Sequence, residues 1–225
     1  MGSGTGHGTT AIGVAVHSTR MDAPLRAGIA IYNAGDYHPA HDAWEDHWLD
    51  LDSGTDDERF LHGLIQFTAA VHHASNHNWG GATGLAASAR EYLAVLPDTY
   101  RGVDVAAVRV YLATLHDDPE VIERRPPLAL TYESAVLHLD ALDFESSAAA
   151  AEVYAEEGPY DESVVEQAVA YARADLDAGD ETSDFVTFVM DFTRDEENRG
   201  IIHQRLSERV ERRVQRESDV DGLFD

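Results

Sequence analysis

DDERFLHGLIQFTAAVHHASNHNW, residues 56–79, is the stretch whose reading decides the fold. Its apolar residues recur at helical spacing over most of its length. Set out at about 100° per residue, His62, Gln66, His73 and His77 fall within about 60° of one another, with Ala69 among them. His72 lies beside Leu61 and Ile65 on the apolar stripe. A helix of this length with a polar line set into an apolar surface is either one wall of a site or a device that fixes helix register.

The stretch before it has the same character. In YHPAHDAWEDHWLDL, residues 37–51, His41, Glu45 and Trp48 stand at i, i+4 and i+7 and share a face with Trp44. Pro39 suits a first-turn position and Asp36 a cap. Asp42, Asp46 and His47 point elsewhere, toward solvent. If the two polar lines face each other, His41, Glu45, Gln66 and His73 converge, with Trp48 at their edge. Two imidazoles and a carboxylate suit zinc, iron or manganese, which makes His41, Glu45 and His73 the candidate metal ligands and Gln66 an orienting group. The same groups suit general acid–base work. They also suit each other, because buried polar groups need partners. HDAWE, residues 41–45, puts a histidine and a glutamate four apart and is not the HExxH zinc motif. Trp44 and Trp48 read as core.

Outward from this pair the chain stays helical. LRAGIAIYNAGDY gives a short first helix ending at Gly35, GGATGLAASAREYLAVL a fourth and DVAAVRVYLATL a fifth. These make a five-helix N-terminal domain over residues 22–117. Three prolines in HDDPEVIERRPPLALTYES mark a connector over residues 118–133, whose apolar PPLAL lies on the protein. Helical spacing resumes at about 134–157, 161–178, 182–193 and 196–216, a C-terminal extension over residues 134–217, with 218–225 a tail. Val165, Ala168, Val169, Ala172 and Leu176 form one stripe closed by Gly179. Residues 1–21 are Gly/Ser/Thr-rich and read as a disordered extension. The fold class is all-α, a multi-helix bundle.

Composition sets the surroundings. The 225-residue chain carries 42 acidic residues against 16 basic ones, for a net charge of −26, and every basic residue is arginine. Charge of that size repels itself in dilute buffer, whereas molar salt shortens the screening length to roughly 3 Å. The acids are spread along the whole chain, so the composition reads as the cytoplasm of a salt-adapted organism of the halophilic archaeal type. It disfavours nucleic acid as a partner. No cysteine is present, which excludes disulfides and thiolate ligands. No apolar run is long enough to span a membrane. Seven of the arginines lie in TRDEENRGIIHQRLSERVERRVQRE, residues 193–217, interleaved with glutamates. That pattern reads as a salt-bridged amphipathic helix packed on its neighbours or on a second subunit of a homo-oligomer.

The stretch from GIAIYNAGDYHPAHDAWEDHW through FLHGLIQFTAAVHHASNHNWGGATGLAASAREYL resembles the domain of unknown function 309 (DUF309) family. The family pattern falls on Asn33, Gly35, Tyr37, Ala40, His41, Trp44, Glu45 and Trp48. It continues on Leu61, Gly63, Leu64, Ile65, Gln66, His73, Asn78, Gly81 and Ala82. Asp42 stands where the family has glutamate, and His62 where it has glutamine. The resemblance covers residues 24 to about 96 and implies an all-helical bundle. It implies no reaction and does not reach residues 100–225.

Two functions follow from the residues. One is a non-catalytic interaction or scaffold module with a buried His/Glu/Gln network. The other is a metal-binding protein or metal-dependent enzyme using His41, Glu45 and His73.

Overall fold

The structure is a computed structural model that describes residues 10–221 apart from residue 181. Nine α-helices account for most of the described residues: α1 (Thr10–Ala34), α2 (Tyr37–Leu49), α3 (Asp56–Ser75), α4 (Trp79–Leu93), α5 (Val105–Asp117), α6 (Phe144–Glu156), α7 (Glu162–Asp177), α8 (Asp184–Arg194) and α9 (Arg199–Asp221). The all-α expectation holds. No helix among the described residues is long and apolar enough to cross a membrane.

Short polar side chains start these helices. Thr55 accepts from Glu58 N at 3.2 Å, Asn78 from Gly81 N at 3.1 Å, Asp104 from Ala107 N at 2.9 Å and Asp143 from Ser146 N at 2.9 Å. Each satisfies a first-turn N–H that the helix itself leaves unpaired. Asp36 does sit at the N-cap of α2, but its side chain makes no cap bond. It accepts instead from the Tyr154 hydroxyl of α6 at 2.9 Å, so the expected cap ties two helices together.

α1 differs from expectation. It runs through Pro24 back to Thr10, so the boundary drawn after residue 21 falls inside a helix; residues 1–9 lie outside the described ones. Met21 and Leu25, on either side of Pro24, are both 1% exposed. Burial on both flanks offsets the hydrogen bond that proline removes. Further along, Gly28 lets α1 approach α2. A Cβ there would lie 2.3 Å from the Trp44 indole, which is fully buried and donates to Pro24 O at 3.1 Å.

The second correction is a small antiparallel sheet in the region read as turn and connector. Strands β1 (Thr99–Tyr100), β2 (Val103–Asp104), β3 (Thr131–Tyr132) and β4 (Ala135–Val136) pair in the order β1-β2-β3-β4. Arg101 and Gly102 both have positive φ, as do Glu133 and Ser134, which suits two-residue hairpin turns. The sheet displaces the start of the sixth helix from about 134 to Phe144. Beyond the last rung, where Leu130 would face Leu137, the Asn33 amide takes over. Its Nδ2 donates to Leu130 O and Leu137 O, both at 2.8 Å, and its Oδ1 accepts from Leu130 N at 2.8 Å. Connector and α1 are joined there.

The C-terminal helices do not stand apart from the rest. α6 packs against α1 and α2, and α8 against α6, and the buried apolar side chains of both halves form one continuous cluster. On α9, Arg209 pairs with Asp184 at 2.9 Å and Arg213 with Asp175 at 2.7 Å, while Arg213 lies over the Tyr171 ring at 4.2 Å.

Candidate functional site

The two polar lines resolve into two separate clusters. The first lies along α3. Glu58, His62 and Gln66 are spaced four apart: His62 Nδ1 lies at ion-pair distance from Glu58 Oε1, 3.5 Å, and Gln66 Nε2 is hydrogen-bonded to His62 Nε2 at 2.9 Å. Trp48 of α2 donates its indole N–H to Glu58 Oε1 at 3.2 Å, and Gly54 N donates to Glu58 Oε2 at 3.2 Å. His62 is held between two rings, Trp48 at 4.5 Å and Tyr92 of α4 at 3.9 Å between centroids. Burial alone would raise the Glu58 pKa. The donors Trp48, Gly54 and His62 outweigh it and hold the carboxyl below its usual range. Trp48 and Gln66 are thus members of a network closed at the Glu58 carboxylate, while His62 Nδ1 and Gln66 Oε1 stay buried without a hydrogen-bond partner. Sequence reasoning missed Glu58, although its place one turn before His62 was a usable signal, as it missed His38 and Asp42 of the cluster described next.

The second cluster sits at the start of α2. Asp42 bridges two imidazoles: His41 Nδ1 is 2.8 Å from Asp42 Oδ1, and His38 Nδ1 is 3.3 Å from Asp42 Oδ2. One ligand-capable atom from each of His38, His41 and Asp42 lies within 4.8 Å of the other two. His38 Nδ1 also reaches Glu157 Oε2 at 3.4 Å, and His41 Nε2 reaches Glu45 Oε2 at 3.5 Å. The expectation that Asp42 points to solvent is corrected. Its side chain is only 17% exposed, and Oδ2 is shielded from water without accepting a hydrogen bond. The bond to Asp42 raises the His41 pKa against the opposing effect of burial. His72 of α3 meets His38 edge-on at 5.5 Å, and its pKa is lowered by burial first and then by the neighbouring imidazoles.

Of the sequence candidates, His41 and Glu45 are adjacent in this cluster. His73 turns its Nδ1 to Asn78 Nδ2 at 2.8 Å and meets the cluster only through His72, 6.0 Å away between centroids. Gln66 and Trp48 belong to the other cluster. His77 leaves the line altogether: α3 ends at Ser75, and His77, at φ 57°, pairs with Glu123 at 3.2 Å. Beside Asp42 a groove of about 330 Å³ opens between α2 and α6, walled by Asp42, Asp46, Asp50, Glu152 and Glu156. Burial raises the carboxyls of Glu152 and Glu156; neighbouring acids add to the effect, and Arg173 opposes it at Glu152. A cleft lined by one sign of charge focuses the field and concentrates counter-ions, here cations.

Both clusters lie inside the segment that can be compared with known proteins. Residues 25–85 match the family described as Domain of unknown function (DUF309). The DUF309 match begins in α1 and ends within α4, so it covers α2, α3 and every residue of the two clusters except Tyr92 and Glu157. No curated protein matches the chain.

Proposed function

We propose that this chain is a divalent-metal-binding helical protein, with His38, His41 and Asp42 as ligands. The observation that carries the reading is the unsatisfied Asp42 Oδ2, buried between two imidazoles that already stand 2.8 and 3.3 Å from that carboxylate. Ligands at about 2.1 Å from one ion stand roughly 3 Å apart, so little movement is needed to admit one. Two imidazoles and one carboxylate suit zinc, iron or manganese and leave coordination positions for water or a further group. Glu45 and Glu157 flank the site from opposite sides. The acidic groove supports the reading as an approach for cations.

The test is elemental analysis of untagged protein purified in molar KCl without chelator, repeated after incubation with each ion. One equivalent of a transition metal is expected, and its loss in the His38→Ala/His41→Ala double variant. A chain that retains no metal under any loading, or a double variant that retains it, would overturn the reading.

A non-catalytic interaction or scaffold module is the second reading, favoured by Glu58, whose two carboxylate oxygens are each held by an N–H donor. In either case the charge of −26 supports a working medium of concentrated salt. Melting temperature should rise by several degrees between dilute buffer and molar KCl. A flat response would remove that inference.

A further inference from the structure

Between them, α4 and α5 leave an uncovered groove of about 670 Å³. Its floor is Ala87, Ala94, Ala106 and Ala113, with Val110 standing in it. Ala106, Val110 and Ala113 follow the i, i+4, i+7 spacing of a packing face, and so do Ala87, Glu91 and Ala94 on α4. The inward face of α5 is already occupied by Val108, Leu112 and Leu115, all fully buried. Val110 is 68% exposed and Val95, next to Ala94, 67%, the two highest values among the large apolar side chains of the described residues.

We infer that this groove seats a second copy of the chain, α4 and α5 of each copy closing a four-helix bundle about a twofold axis. Charge selects the occupant. Two molecules of net charge −26 repel least where that charge is locally absent. The groove meets this condition. Arg109 is neutralised by Asp98 at 2.5 Å, and what remains on the rim is one arginine beside one glutamate, Arg90 and Glu91. Both are exposed, and neither makes an ion pair within the described chain. A twofold axis pairs a patch with itself, so Arg90 meets the partner's Glu91 and Glu91 meets the partner's Arg90. The small side chains give each helix room to receive the protruding Val110 of the other copy. This inference stands on its own and does not depend on metal.

The experiment is the molar mass of the full chain by sedimentation equilibrium across a wide concentration range. The salt used is the lowest KCl concentration that keeps the fold. The wild type should be dimeric, and Val110→Asp monomeric with unchanged helicity by circular dichroism. Ala94→Glu provides a second disruption should Val110→Asp lose helicity. Arg90→Glu should weaken association by roughly tenfold or more, because four acids then face each other. Adding Glu91→Arg to it should restore dimerisation, since the swapped pair is again complementary to itself. A wild type that stays monomeric, a dimer indifferent to both groove variants, or a charge swap that fails to recover association would each overturn the assignment.

Discussion

His62 and His41 begin alike. Each lies on a helix of the α2–α3 pair, each has a glutamate one turn away, and their exposures are close, 19% and 25%. Their surroundings then separate them. The carboxylate beside His62 is held by an indole N–H and a backbone N–H, and the ring is pressed between Trp48 and Tyr92. The carboxylate beside His41, Asp42, has one buried oxygen to which nothing donates. Burial does not separate these two histidines. The count of committed partners on the neighbouring acid does.

The largest disturbance should come from beneath both clusters. Gly28→Ala puts a methyl group 2.3 Å from the Trp44 indole, and α2 carries both His41 and Trp48. Overpacking against a fully buried, rigid ring falls at or above the top of the usual range, about 3 kcal/mol or more, so thermal melting should drop by several degrees. An unchanged melting temperature would mean that α1 does not brace α2.

Glu58→Ala comes next. It strips the partner from the Trp48 and Gly54 N–H groups and from His62, at a cost of about 2–3 kcal/mol in chemical denaturation. A variant as stable as wild type would show that the closed cluster is no more structural than the open one. Asp42→Asn is its counterpart. Stability should change by less than about 1 kcal/mol, because partly exposed ion pairs contribute little. Metal retention should disappear. A variant that melts far below wild type would assign Asp42 to the scaffold.

The smallest effect is the one with pH. Glu58 has a folded pKa below its unfolded value of about 4.3. Its ionisation therefore stabilises the fold fully above that value, and the contribution is lost as pH falls through the folded pKa. Urea midpoints of wild type and Glu58→Gln should converge as pH falls from about 5 toward 3. The other depressed carboxyls, Asp57, Asp143, Asp161 and Asp175, titrate in both proteins and cancel. A gap that stays constant on acidification would remove Glu58 from the closed network.

Much of this was legible in the sequence. Helical spacing placed α2 through α5 and α7 through α9 to within a few residues, because each carries a long periodic stripe and most have a capping side chain. The sheet was not legible. Two-residue strands are too short to show alternation, and the turn residues Arg101, Glu133 and Ser134 are not those that usually announce a hairpin. Nor did the sequence show how the polar residues divide. Projection on each helix gave the faces of His41 and His62, but which of those faces is buried depends on how neighbouring helices, α6 among them, pack on α2 and α3. Asp42 was assigned to the wrong side for that reason. Glu157 lies over a hundred residues from His38, and only the packing of α6 on α2 brings them together.

Asn33 shows what such distant packing asks of a single residue. Its side-chain amide pairs with Leu130 through both a donor and an acceptor and reaches Leu137 as well, so it does the work of a peptide group from a missing strand. An amide is the only side chain of that size with both polarities on one plane. Aspartate has the same shape but would set a charge against two carbonyl oxygens and lose both donations. At this point in the fold a side chain substitutes for backbone, and the residue type is dictated by the chemistry of the main chain.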